Sequence, residues 1–218
     1  SLQTAFGMMR GKFVEMDGLK IIVVARHSKG HKSPPHSVNY GAIASAAKQL
    51  GVRGVFATAA VGTLRTELVP GTICVCRDFV DFTCRNFTVH EKRVVHCDVS
   101  GAFSPVLKDA LIASGLAKGL ELPQVVYLGL NGPRYETHTE IRLFQGLHCD
   151  VVGMTASTEA IAMAELGVPY ACLAIITNFG AGLEGSILEH GHVTEIMQDS
   201  GAHAIALISA AGKTISLR

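Results

Sequence analysis

The sequence has no surplus of charge. Its 19 Lys and Arg face 18 Asp and Glu, a formal net charge of +1, so there is no electrostatic case for nucleic acid or an anionic membrane as partner. No apolar run approaches the roughly 18 residues of a membrane span. The start, Ser-Leu-Gln-Thr, lacks a charged segment followed by an apolar one, so no signal peptide is visible and a cytoplasmic protein is expected. There are no internal repeats, low-complexity segments or linkers, which gives one domain over residues 1–218. No Cys-x-x-Cys pair occurs. Cys74, Cys76, Cys84, Cys97, Cys149 and Cys172 are scattered, four of them in runs that read as strands; free buried thiols are expected, not a disulfide framework. No Gly-x-Gly-x-x-Gly follows a strand, which disfavours a dinucleotide-binding oxidoreductase.

What is present is apolar. Hydrophobic residues make up 48% and charged residues 17%, too apolar for much disorder, and 218 residues suffice for one α/β domain with a sizeable core. The organising stretch runs from Asp150 to Asn178 and parses as strand, helix, strand. Val151 and Val152 end a short buried strand, and Gly153-Met154-Thr155 forms a turn. Ala160, Ile161 and Ala164 recur at helical spacing up to Leu166, with Ser157 or Thr158 able to cap. Gly167 stops the helix, and Pro169 opens an apolar strand over Tyr170 to Thr177, as expected where both sheet faces are covered. In a βαβ unit, ligands sit at the carboxyl ends of the strands, here Met154-Thr155 and Thr177-Asn178. The helix start beside Thr155 offers free N–H groups and a positive dipole end to an anion. The plainer alternative is a packing unit with ordinary polar turns.

Elsewhere, Leu19 to Ala25 reads as a strand running into Arg26-His27-Ser28-Lys29-Gly30-His31. That basic cluster is either an oxyanion site, since a guanidinium forks onto phosphate, or a solvated loop. Val38-Asn39-Tyr40 starts a helix reaching Leu50, stopped by Gly51. Val55 to Ala60 is a strand followed by a small-residue turn, Ala59-Ala60-Val61-Gly62, where backbone can approach a ligand. Thr72 to Val80 is a strand, Phe82 to Asp98 an aperiodic excursion, and Ser104 to Gly115 a helix. Gln124 to Leu130 is a strand ending at Asn131-Gly132-Pro133-Arg134-Tyr135-Glu136-Thr137, with a helix beyond it. A Gly-rich loop, Phe179 to Gly191, precedes a last helix from about Val193 to Gly212. Pairs of histidines (His31 with His36, His190 with His192) sit in Gly- or Pro-containing loops with no carboxylate at helical spacing, which disfavours a metal hydrolase.

Four separated pieces, in order and each at a strand end, resemble one family. They are Arg26-His27 with Val38-Asn39-Tyr40; Ala59-Ala60-Val61-Gly62; Gly132-Pro133-Arg134-Tyr135-Glu136-Thr137; and Gly153-Met154-Thr155-x-x-x-Glu159 through Asn178. Together they look like the purine nucleoside phosphorylase and methylthioadenosine phosphorylase family. The resemblance implies an α/β fold, a mixed central sheet flanked by helices, in a homotrimer. It implies phosphorolysis, with purine nucleoside and inorganic phosphate as partners and no cofactor or metal. It implies that Arg26, His27, the Ala60 backbone and Thr155 bind phosphate, that Met154 lies along the ribose, and that Tyr135 packs on ribose and base. Glu136 and Asn178 then hold the purine edge, and Asn178, Glu136 and His27 serve catalysis.

The chemistry suits those residue types. The transition state resembles an oxocarbenium ion with negative charge growing on the departing purine. An Asn amide can donate to N7 and to the 6-oxygen, and a carboxylate accepts from the N1–H of a 6-oxopurine, a proton adenine lacks. Glu136 reads alternatively as a helix first-turn acid. The family pattern opens with a strand and a Gly-Gly-Ser/Thr-Gly loop around phosphate; this sequence holds no such loop, and Ser1 to Phe13 resemble the segment next after that loop. Either that opening strand and loop are missing from this chain and precede Ser1, or part of the phosphate site is lost, which makes a purine-binding homologue with weak catalysis a competing reading. Family members acting on ordinary nucleosides place a His near the start of the last helix against the 5′-hydroxyl. Alignment puts Val193 there, with Ile196 and Met197 one turn on, an apolar wall suited to a methylthio group. His96 matches a residue lent to the neighbouring subunit's 5′ pocket. The substrate expected is 5′-methylthioinosine, with inosine, guanosine or methylthioadenosine as alternatives. Plain core roles for Val193, Ile196 and Met197, with His192 or His190 in the pocket, remain the other reading.

Overall fold

The computed structural model describes residues 1–16, 18–28, 33–186 and 190–216. Two antiparallel ribbons come first: β1 (Leu2–Thr4) with β2 (Gly7–Met9), and β3 (Lys12–Met16) with β4 (Leu19–Val23). There follow a 3-10 turn at Pro35–Ser37, α1 (Tyr40–Gln49), β5 (Val55–Thr63), β6 (Ile73–Asp81), α2 (Pro105–Leu116) and β7 (Gln124–Gly129). The chain continues through α3 (His138–Gly146), β8 (Val151–Gly153), α4 (Ala156–Glu165), β9 (Tyr170–Phe179) and α5 (His190–Ser216).

Strands β5 to β9 close into a mixed barrel in the order β5-β8-β7-β6-β9. Pairs β5/β9, β6/β7 and β7/β8 are parallel, while β5/β8 and β6/β9 are antiparallel. The α/β class, the mixed sheet and its flanking helices are as expected; three local expectations are corrected. β8 and β9 are not neighbours: both edges of β9 are taken by β5 and β6, so the stretch from Asp150 to Asn178 is not a crossover between adjacent parallel strands. Ala59-Ala60-Val61-Gly62 is not a turn. The stretch stays in the strand, and β5 pairs with β9 through Thr63 with one register shift at Val61/Gly62. β4 ends at Val23 and pairs with β3, outside the barrel.

Burial explains the alternation along β9, where every residue but Phe179 is buried. Cys172, Ala174 and Ile176 face a cluster with Ala44 of α1 and Ala156, Ala160 and Met163 of α4. Ala171, Leu173 and Ile175 face the opposite cluster, with Leu107 and Leu111 of α2 and Ala204 and Leu207 of α5. Period-two alternation thus feeds two helix layers from one strand. The alanines on α1 and α4 let those helices approach the sheet. All six cysteines are free; Cys74, Cys76 and Cys172 lie in strands, and buried Cys149 just ahead of β8. Among the described residues no helix is long and apolar enough to cross a membrane.

Candidate active site

Arg26 follows β4 and turns inward. Its Nη1 donates to Glu159 Oε2 at 3.0 Å and its Nη2 to the Thr58 carbonyl of β5. Its Nε is buried and has no partner among the described residues. Burial works against the charge, but Glu159 and neighbouring groups outweigh it and the guanidinium pKa is raised. Glu159 is buried, and Tyr170 Oη donates to the same Oε2 at 2.8 Å. The expected basic cluster is thus partly a packed structure. His27 is half-buried, and its Nδ1 lies 2.9 Å from the Ser33 carbonyl. A carbonyl accepts, so the proton of the neutral ring sits on Nδ1 and Nε2 carries the lone pair. Lys29, Gly30 and His31 lie outside the described residues, as do the side chains of His190 and His192.

At the start of α4 the expectation of free N–H groups is corrected for the first two amides. The N–H groups of Thr155 and Ala156 donate to Tyr127 Oη at 3.1 and 3.2 Å. Nor do Ser157 or Thr158 cap the helix: Ser157 Oγ donates to Asp81 Oδ1 at 3.2 Å, and Thr158 Oγ1 accepts from Arg85. A side chain on Gly129 would collide with Ser157 Oγ, which is why β7 ends in glycine. Arg85 is a clamp. It donates to Asn131 Oδ1 at 2.6 Å, Thr158 Oγ1 at 3.0 Å and the Met154 carbonyl at 3.3 Å, and it lies over the Tyr40 ring at 5.5 Å. Met154 is half-buried, Thr155 buried and Ala60 exposed.

The loop after β7 reaches the same place. Gly132 has φ +62° behind a cis bond to Pro133, and a Cβ there would strike Met154 Sδ. Glu136 precedes Thr137, the N-cap of α3. Thr137 Oγ1 accepts from Glu140 N, and Glu140 accepts from Thr137 N, a capping box. The first-turn acid is therefore Glu140, and Glu136 is not spent on the helix. Burial, the largest influence, raises the Glu136 carboxyl pKa, and Tyr135 beside it is half-buried. On β9, register runs from Val61↔Ile176 to Gly62↔Asn178, so Thr177 is an unmatched bulge residue. Bulges re-aim the neighbouring side chain. Asn178 Nδ2 donates to the Phe179 carbonyl at 3.0 Å, and the Thr177 hydroxyl lies 2.9 Å from its Oδ1. Of the two hydrogens expected for the base, one is already used.

Ile196 and Met197 pack against the cluster of Leu107, Leu173, Ile175 and Leu207 under α5, the core role that stood as the other reading. Val193 is half-buried, and α5 begins three residues earlier than the spacing predicts because it opens at His190. His96 is exposed in the segment between β6 and α2. An open cleft of about 610 Å³ lies between the start of α3 and the loop after β9, lined by His138, Gly182, Leu183 and Ser186 among others. Sequence reading missed three contributors, Tyr127, Arg85 and Tyr170, and gave Glu159 a place in the motif but no role. Only Glu159 had a visible signal, an acid within an otherwise apolar helical run.

The phosphorylase superfamily profile matches residues 6–212. The 6-oxopurine nucleoside phosphorylase of Pyrococcus furiosus is 38% identical over 221 aligned positions, covering 97% of this chain and 83% of that one. A protein named probable S-methyl-5′-thioinosine phosphorylase from Methanothermobacter thermautotrophicus is 40% identical, covering 90% and 69%. Among solved structures, methylthioadenosine phosphorylase from Schistosoma mansoni in complex with adenine superposes with a TM-score of 0.89 at 27% identity, covering 100% of this chain and 84% of that one. Sequence and fold agree that the chain belongs to the phosphorylase superfamily, within its nucleoside phosphorylase branch.

Proposed function

We propose that this chain phosphorolyses the N-glycosidic bond of a 6-oxopurine nucleoside, S-methyl-5′-thioinosine in preference to inosine, giving hypoxanthine and methylthioribose 1-phosphate. The observation that carries the proposal is the use made of β5. Thr58 anchors Arg26, Gly62 pairs with Asn178, and exposed Ala60 lies between. Four residues of strand span on the order of 13 Å, so anion-binding and base-binding groups stand at two ends of one rigid element. The names of the two relatives support the 6-oxopurine and methylthioinosine choices.

In this scheme, inorganic phosphate is the co-substrate and no cofactor takes part. Arg26, the Ala60 backbone and Thr155 hold phosphate beside the anomeric carbon, and His27 Nε2 accepts from the P–OH of hydrogen phosphate. The anion stabilises the oxocarbenium ion and then bonds to C1′ as the C1′–N9 bond breaks. The electron pair departs with the purine, where the remaining Asn178 N–H meets the charge developing at N7, and the proton given up by hydrogen phosphate on forming the ester neutralises the base as hypoxanthine. Glu136 accepts from N1–H, Tyr135 packs on ribose and base, and Met154 lines the ribose. Val193 makes the 5′ end apolar, with Ile196 and Met197 packed behind it in the core. A homotrimer in the cytoplasm, with His96 lent to a neighbour's 5′ pocket, completes the scheme.

A panel of inosine, guanosine, adenosine, methylthioadenosine and methylthioinosine, with and without phosphate, tests it. The expected outcome is phosphate-dependent hypoxanthine release, with the highest kcat/KM on methylthioinosine. Faster cleavage of methylthioadenosine than of any inosine-type substrate would overturn the base assignment. Hypoxanthine binding without phosphate-dependent release would favour the weakly catalytic homologue.

A further inference from the structure

The acid that completes the Gly-Met-Thr-x-x-x-Glu spacing takes no part in the chemistry above. Glu159 sits one turn into α4 and is 4% exposed. Both of its hydrogen bonds converge on one oxygen, Oε2: Arg26 Nη1 at 3.0 Å and Tyr170 Oη at 2.8 Å. Tyr170 is itself fully buried and stacks on Phe103 with ring centroids 5.8 Å apart, so its hydroxyl is a fixed donor. Thr58 on β5 takes Nη2 of the same guanidinium. Arg26 is thus held from α4 and β5, and through Glu159 from β9. Its buried Nε is the one buried side-chain polar atom without a partner among the described residues.

We propose that Glu159 is a positioning residue for phosphate capture: it locks Arg26 in one orientation, leaving Nε–H and the second hydrogens of Nη1 and Nη2 as donors for the anion. The inference rests on the phosphorolysis reading of Arg26. A long flexible cation ordered before its ligand arrives loses less freedom on binding. The geometry of the carboxylate, rather than its charge, is what matters. The charge alone would oppose the incoming anion.

Two substitutions separate geometry from charge. Glu159→Gln removes the charge but keeps an oxygen where both hydrogen bonds converge. Glu159→Asp keeps the charge but draws the carboxylate back by one methylene, out of reach of Nη1 and Tyr170. The expected result is a rise of about tenfold in the KM for phosphate with Asp, from loss of a charge-assisted bond, and no rise with Gln. The KM for the nucleoside stays within about twofold in both. Tyr170→Phe, which spares the Arg26 bond, gives an intermediate rise in phosphate KM. A tenfold rise with Gln overturns the proposal, as does an unchanged phosphate KM in a folded Asp variant. Equal rises for both substrates mark a merely structural role and also overturn it. If Asp does not fold, the Gln and Tyr170→Phe results decide. The unaltered protein is the control. Without phosphate-dependent base release there, the functional reading itself fails; with it, only the role of Glu159 is at stake.

Discussion

Replacing Tyr127 with Phe tests how the start of α4 is held. The Tyr127 hydroxyl accepts from Thr155 N at 3.1 Å and Ala156 N at 3.2 Å. Tyr127 and Ala156 are fully buried and Thr155 is 5% exposed, so water does not replace the lost acceptor. Burial raises the phenol pKa well above its usual range, so a neutral hydroxyl does this work at any working pH. The ring stays in place and no side-chain-sized cavity opens. The loss is two buried N–H groups left unpaired, each costing about 1–3 kcal/mol. Relaxation of a helix first turn recovers part of that, which puts the expected destabilisation at about 2–4 kcal/mol. Urea unfolding followed by circular dichroism reads it as a lower midpoint with an unchanged slope. A loss under about 0.5 kcal/mol, the scatter of ordinary surface substitutions, would refute the reasoning and return the α4 amides to the role of free anion donors.

Arg26→Ala strips a charged donor from the proposed phosphate site and leaves Glu159 buried without its ion-pair partner, held only by the Tyr170 hydroxyl. The expected outcome is a raised KM for phosphate, lower kcat and a stability loss of about 3–5 kcal/mol, read by steady-state kinetics and unfolding together. Asn178→Asp shifts preference toward 6-aminopurines by roughly tenfold to a hundredfold, the worth of one buried hydrogen bond; competition between adenosine and inosine measures it. Val193→His raises inosine turnover relative to methylthioinosine, and an unchanged ratio of specificity constants counts against the apolar 5′ wall. Hydrogen bonds from Arg134 and from Thr137 N hold the Glu140 carboxyl at about 2, below its ordinary 4.5. A depressed carboxyl stabilises the fold above its unfolded pKa, and that contribution disappears as pH falls from about 4.5 through about 2. Glu140→Gln therefore flattens the acid limb of the stability curve; because Arg134 is mostly exposed, the effect is about 1 kcal/mol or less.

Helices and strands with clear periods were legible in the sequence to within a few residues. Asn39 caps α1 and Gly167 follows α4 because short-range chemistry dictates both. Barrel closure was not legible. β8 is three residues long, and its two neighbours are chosen by contacts distant in sequence. The candidate site divides in the same way. Arg26, Glu136 and Asn178 could be picked out as polar groups at strand ends. The groups that hold them could not, since Tyr127 and Tyr170 resemble any core aromatic until folding brings a hydroxyl to a buried N–H or carboxylate. The small residues of Ala59-Ala60-Val61-Gly62 suggested a turn, but the long pairing with β9 overrode that local preference.

Gly62 is paired on both edges, with Val152 of β8 and Asn178 of β9. A Cβ there would lie 3.2 Å from Asn178 Nδ2 and 3.3 Å from Val152 Cγ1. One substitution would press at once on the amide proposed to meet the base and on the seam that closes the barrel. A side chain at Gly62 therefore couples the setting of the Asn178 amide to the barrel seam, so the two cannot be adjusted independently from this position. A library built to change specificity gains most by leaving Gly62 fixed and diversifying positions away from that seam.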